Sequence, residues 1–121
     1  MPVNKPVLIV EDNPYMSSLL EEMLHVFDYE SVRAESGQEA LSKLENGKFA
    51  MVFTDIKMPN MNGLELLRNI KEKTPKLPVV LISGYSIKEF SSDPNQPKPD
   101  GFLAKPFLMS DIEKLLNTLL S

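Results

Sequence analysis

The chain has 121 residues, with 13 Lys and Arg against 17 Asp and Glu and a net charge of −4; that length predicts one domain with a real core. The acidic balance argues against a direct nucleic-acid surface, which needs clustered Lys and Arg. Without cysteine, and with His25 as its lone histidine, the chain excludes disulfides, thiolate chemistry and a His-rich metal site.

Residues 1–5 read as a tail and 6–121 as the domain. Met1 to Pro6 has no signal-peptide core, and no apolar run nears the ~20 residues of a membrane span, so the cytoplasm is expected and no membrane partner. Val7-Leu8-Ile9-Val10 is an aliphatic run of strand length, the pattern of a strand covered on both faces. After Asn13-Pro14, apolar residues at Met16, Leu19, Leu20, Met23 and Phe27 keep a helical period. Ser31 to Ala34 is a weak strand. Ser36-Gly37-Gln38-Glu39 reads as a capping box, followed by Ala40, Leu41 and Leu44 on one helical face and a stop at Asn46-Gly47.

Met51 to Thr54 forms the next buried strand and stops at Asp55. Lys57 to Asn62 is a loop shaped by Pro59, with the Lys57 side chain in solvent. Gly63 serves the turn into a helix that reaches Lys73, with Leu64, Leu67 and Ile70 among its apolar positions. Pro78 to Ile82 is a strand ending at Ser83-Gly84, and Gly101 to Ala104 is the last, ending at Lys105-Pro106. A final helix carries a second capping box, Ser110-Asp111-Ile112-Glu113, and a stripe at Ile112, Leu115, Leu116, Leu119 and Leu120. Five βα units predict an α/β fold: a doubly wound, five-stranded parallel sheet of the flavodoxin-like kind. Its fourth helix is short or disrupted, because Pro94, Pro97 and Pro99 would each cost about 3 kcal/mol in a helix interior; it should end by Ser92.

Ligands of open parallel sheets bind at the carboxyl ends of the strands. The residues there are Glu11 and Asp12, Asp55, Ser83 and Lys105: three carboxylates, a hydroxyl and an amine on one rim. Carboxylates about 5 Å apart repel by roughly 3 kcal/mol per pair at an effective dielectric near 20, so the cluster must hold protons or recruit a cation. Oxygen donors without His or Cys select Mg²⁺ or a close relative such as Mn²⁺. One divalent cation and one ammonium suit a phosphoryl group, and Asp55 could carry it as an acyl phosphate.

Glu11-Asp12, Asp55 followed by Ile56-Lys57-Met58-Pro59-Asn60-Met61-Asn62-Gly63, Ser83-Gly84 and Lys105-Pro106-Phe107 together closely resemble a two-component response-regulator receiver domain, from Pro6 to Leu120. The resemblance implies a signalling domain rather than an enzyme, catalysing only its own phosphorylation and dephosphorylation. Asp55 would accept a phosphoryl group from a phosphohistidine of a sensor histidine kinase or histidine phosphotransfer domain. Asp12, Asp55 and the backbone carbonyl of Lys57 would ligate Mg²⁺, with Glu11 acting directly or through water. Lys105 would pair with the carboxylate and then with the phosphoryl oxygen. Ser83 would move to the phosphoryl group and vacate space for Phe102, switching the surface shown to an unidentified output domain or partner. The pattern also implies a cis Lys105–Pro106 bond.

Gly84 stands where many receivers have alanine, which should open the loop to the phosphoryl group, and Phe102 lacks the hydroxyl of the common tyrosine. The proline-rich 94–99 stretch alters the usual fourth-helix signalling surface. An aspartate-nucleophile Mg²⁺ phosphatase is the alternative reading, but the position of its second acid is Lys57. A flavin protein of this fold would need a Ser/Thr/Gly-rich loop where Glu11-Asp12-Asn13-Pro14 stands. A non-phosphorylated pseudo-receiver would be expected to lack one of the five site residues, and none is missing.

Overall fold

In the computed structural model the described residues are 5–58, 61–84 and 97–120. Their elements follow in the order β1 (Val7–Val10), α1 (Pro14–Val26), β2 (Ser31–Ala34), α2 (Gly37–Asn46), β3 (Met51–Asp55), α3 (Gly63–Lys73), β4 (Val79–Ser83), β5 (Gly101–Ala104) and α4 (Met109–Leu120). The strands pair in parallel in the order β2-β1-β3-β4-β5. The chain therefore winds outward from β1 in both directions, and the strand order reverses between β1 and β3. A crevice opens at such a switch point, outside the carboxyl ends of the two strands.

Strand alternation divides the core into two layers. Val7, Ile9, Met51, Phe53, Val80, Ile82 and Leu103 pack with Leu20 and Leu24 of α1 and Ile112 and Leu116 of α4. Leu8, Val10, Val52, Val79 and Leu81 pack with Ala40 of α2 and Leu66, Leu67 and Ile70 of α3. The runs Val7–Val10 of β1, Met51–Phe53 of β3 and Val79–Ile82 of β4 are apolar at every position because both faces are covered. β2 lies at an edge, and its Arg33 is exposed.

The helix starts follow their caps. Asn13 accepts from the Tyr15 and Met16 amides, Ser36 from the Glu39 amide and Asn62 from the Glu65 amide. The Glu39 carboxylate returns to the amide of Glu35, so the predicted box at Ser36 forms with its second bond shifted by one residue. Two expectations are corrected. Leu19 is 40% exposed: α1 buries Ser17, Leu20 and Leu24, and Leu19 falls outside that face. The box at Ser110 does not form, because α4 starts at Met109 and Ser110 lies inside its first turn. Asp111 instead accepts from the Leu108 amide at 2.8 Å, and the Leu108 carbonyl takes the Asp111 and Ile112 amides. Buried Phe107 anchors that start. The expected short fourth helix falls on 85–96, outside the described residues.

The return to β5 is pinned at Asp100. Its amide donates to the Val79 carbonyl, and its carboxylate accepts from the Val79 amide and from Lys71 Nζ, at 2.7 Å. Among the described residues, no helix is long and apolar enough to cross a membrane.

At the end of α1, the Tyr29 amide bonds to the Leu24 carbonyl and the Asp28 amide to the His25 carbonyl, with Asp28 at φ 66°. This six-residue cap favours glycine at the left-handed position, where a side chain is strained. Asp28→Gly is expected to raise stability by about 0.5–1 kcal/mol, the relieved strain exceeding glycine's added unfolded-state entropy. Urea unfolding of the two proteins measures it; a less stable variant would contradict the account.

Candidate functional site

β1 and β3 run side by side with Val10 opposite Thr54, which brings Glu11 level with Asp55. The chain turns out of the sheet at Asp12, which is exposed, whereas Glu11 and Asp55 are buried. One carboxylate oxygen from each of Glu11, Asp12 and Asp55 lies within 4.8 Å of the other two. Across the β4–β5 end, Ser83 is buried and opposite Ala104, and its carbonyl accepts from the Lys105 amide at 2.9 Å. That bond extends the ladder by one residue and sends Lys105 over the rim. Its Nζ lies 3.1 Å from Asp55 Oδ2 and 4.0 Å from Glu11 Oε2. The Lys105–Pro106 peptide is cis, as the motif implied.

The rim is electrostatically unbalanced. Three carboxylates face one ammonium, and Glu11 Oε2 is buried without a hydrogen-bond partner among the described residues. Burial, and after it hydrogen bonding to and repulsion from Asp55, push the Glu11 carboxyl up to about 7; Lys105 and the Asn13 amide pull the other way. An unsatisfied anionic oxygen inside a ring of hard oxygen donors suits a small divalent cation such as Mg²⁺. Glu11, Asp12 and Asp55 would hold it.

Asp55 is braced by its neighbours. The Lys57 amide donates to Asp55 Oδ1 at 3.3 Å, while the Lys57 side chain is exposed, as expected. Glu11, Asp12, Asp55 and Lys105 thus converge, and Ser83 ends the strand beside them. Phe102 stands apart from them: it is half-buried on β5 and packs against the layer between the sheet and α2 and α3. His25 is exposed in the last turn of α1.

Two contributors were not foreseen. The buried hydroxyl of Thr54 donates to the Asp55 carbonyl at 3.0 Å; its signal was a polar residue inside an otherwise apolar strand. Gly63 was read as a turn residue, but its φ is not positive. What it supplies is space, since a Cβ there would lie 2.4 Å from the Asp55 carbonyl oxygen.

Comparison with known proteins agrees with this geometry. The family model for the response regulator receiver domain matches residues 7–117. The response regulator receiver protein CpdR of Brucella abortus is 33% identical over 116 residues, covering 93% of this chain and 97% of CpdR. The response regulator TrrA of Thermotoga maritima, solved with Mg²⁺–BeF, is 34% identical and superposes with a TM-score of 0.86 over 96% of this chain and 99% of TrrA. TrrA has also been solved in complex with the histidine kinase ThkA; there the TM-score is 0.84 at 34% identity, over 97% of this chain and 99% of TrrA.

Proposed function

The chain belongs to the response regulator receiver domain family, and from that premise we propose that it takes a phosphoryl group onto Asp55 from a partner phosphohistidine in a Mg²⁺-dependent reaction. The observation that carries this reading is the convergence of Glu11, Asp12 and Asp55 at the β1/β3 switch point, with Lys105 3.1 Å from the acceptor carboxylate. A carboxylate oxygen of Asp55 attacks phosphorus; the P–O bond forms as the P–N bond to the donor imidazole breaks. The imidazole leaves with that electron pair and takes up a proton. When bound, Mg²⁺, or Mn²⁺ in its place, would supply charge neutralisation of the transferring oxygens. Glu11, Asp12, Asp55 and the Lys57 carbonyl would hold that ion, and Lys105 would meet a phosphoryl oxygen. The site lies on an open rim, which suits a phosphoryl group delivered on another protein's side chain by a sensor histidine kinase or histidine phosphotransfer domain in the cytoplasm.

The response runs through β4 and β5. Asp55 is opposite Ile82, one residue before Ser83, and Leu81 is opposite Phe102. A Ser83 hydroxyl drawn to the phosphoryl group gives up the space that half-buried Phe102 then takes, which changes the surface presented to an output domain or partner. The site serves signalling, and its chemistry is confined to its own phosphorylation and dephosphorylation.

Incubation with Mg²⁺ and acetyl phosphate is expected to add one phosphoryl group. Borohydride trapping is expected to locate it at Asp55, and EDTA to prevent it. An unmodified mass for the folded protein, or a label elsewhere, would defeat the reading.

A further inference from the structure

The geometry points to Gly63 and Thr54 as positioning residues that fix the Asp55–Ile56 peptide, and through it both the acceptor carboxylate and the Lys57 carbonyl. This inference rests on the receiver reading, since it concerns the same site. An ideal Cβ on Gly63 would lie 2.4 Å from the Asp55 oxygen, 2.9 Å from Ile56 Cα and 3.1 Å from the Asp55 carbonyl carbon. A relaxed C···O contact is about 3.3 Å or more, so any side chain at 63 must push the end of β3 by roughly 1 Å. The obstructing atoms are all backbone, and no rotamer change relieves them. At Gly37 and Gly101 the closest atoms belong instead to the Met61 and Leu115 side chains.

The Asp55–Ile56 peptide is held by two hydrogen bonds, and the Ile56–Lys57 peptide that follows it by a third. The Gly63 amide donates to the Ile56 carbonyl at 2.8 Å, the Thr54 hydroxyl to the Asp55 carbonyl at 3.0 Å, and the Ile56 amide to the Ile82 carbonyl at 3.2 Å. Asp55 lies on one side of this brace and Lys57 begins on the other, tied back to Asp55 Oδ1. A shift in the peptide therefore moves the acceptor and a proposed metal ligand together. Misplacement of that size is costly where reacting atoms must be aligned.

The test compares Gly63→Ala and Thr54→Val with wild type, each at a temperature where circular dichroism shows it folded. Gly63→Ala is expected to weaken Mg²⁺ binding about 10-fold by titration calorimetry and to slow phosphorylation by acetyl phosphate about 30-fold. Thr54→Val shifts both in the same direction by a smaller factor. In metal-free Gly63→Ala the Ile56 amide exchanges faster with solvent. Ile70→Val, two turns further along α3, and Gly47→Ala, where a Cβ meets only ordinary contacts, leave Mg²⁺ affinity unchanged. Wild-type Mg²⁺ affinity in Thr54→Val, or in folded Gly63→Ala, would overturn the inference, and so would equal losses in Ile70→Val. If Gly63→Ala does not fold, Thr54→Val decides. A wild type that binds Mg²⁺ yet takes no phosphoryl group would remove the receiver reading and leave the positioning claim to the calorimetry.

Discussion

Glu11→Gln is expected to stabilise the metal-free protein at pH 8 by about 3 kcal/mol, because the wild type folds there around an ionised, poorly solvated carboxylate. The Glu11 carboxyl is raised from 4.5 to about 7 in the folded state, so the folded chain keeps a proton that the unfolded chain releases earlier. Below pH 4.5 both states are protonated and nothing is lost. Between 4.5 and 7 stability falls by about 1.4 kcal/mol per pH unit, and above 7 the deficit is constant. The same proton competes with metal: Mg²⁺ affinity should rise about tenfold per pH unit up to 7 and then level, with one proton released per ion bound below that point. Glu11→Gln removes the slope and weakens the binding. Urea unfolding from pH 5 to 8, with EDTA and with Mg²⁺, measures both effects. Parallel pH profiles for wild type and variant in EDTA would show that Glu11 is not the group responsible.

The clarity of the sequence tracks the strength of the physical constraint. β1, β3 and β4 are buried on both faces, so their aliphatic runs were plain, and the polar residue ending each run fell at the rim where the ligand crevice opens. The five rim residues were therefore readable, and Ser36 announced a helix start through its side-chain oxygen. The start of α4 was misread because Ser110-Asp111-Ile112-Glu113 satisfies the capping pattern two residues late. Buried Phe107 and the Asp111 bond to the Leu108 amide settle it, and those are tertiary facts. Leu19 keeps the helical period of α1 yet is exposed, since a leucine at the border of a helical stripe can face water at little cost. Gly63 opens α3 where the turn into that helix was expected, but its close backbone approach had no separate signal: a glycine needed for backbone contact looks the same in sequence as one needed for a turn. The orphaned oxygen of Glu11 had no sequence signal beyond its place after β1.

Lys105→Ala should separate the two tasks of the site. Asp55→Asn removes the attacking oxygen and should give no phosphorylation at all, whereas Lys105→Ala keeps all three carboxylates. Its acceptor loses the ammonium 3.1 Å away, a preorganised donor whose removal is expected to slow phosphoryl transfer about 10²- to 10³-fold without abolishing it. Mg²⁺ binding should change in the opposite direction, tightening about tenfold, because the competing positive charge near Glu11 and Asp55 is gone. The phosphorylated variant should also stay silent. With no amine to hold a phosphoryl oxygen at the β4–β5 end, amide shifts at Ser83 and Phe102 should keep their unphosphorylated values, where the wild type shows displacement of both. Mass-resolved time courses, calorimetry and amide spectra of the three proteins test this together. A variant that reacts at the wild-type rate, or binds Mg²⁺ more weakly, would mean that Lys105 braces the fold and does not meet the transferred group.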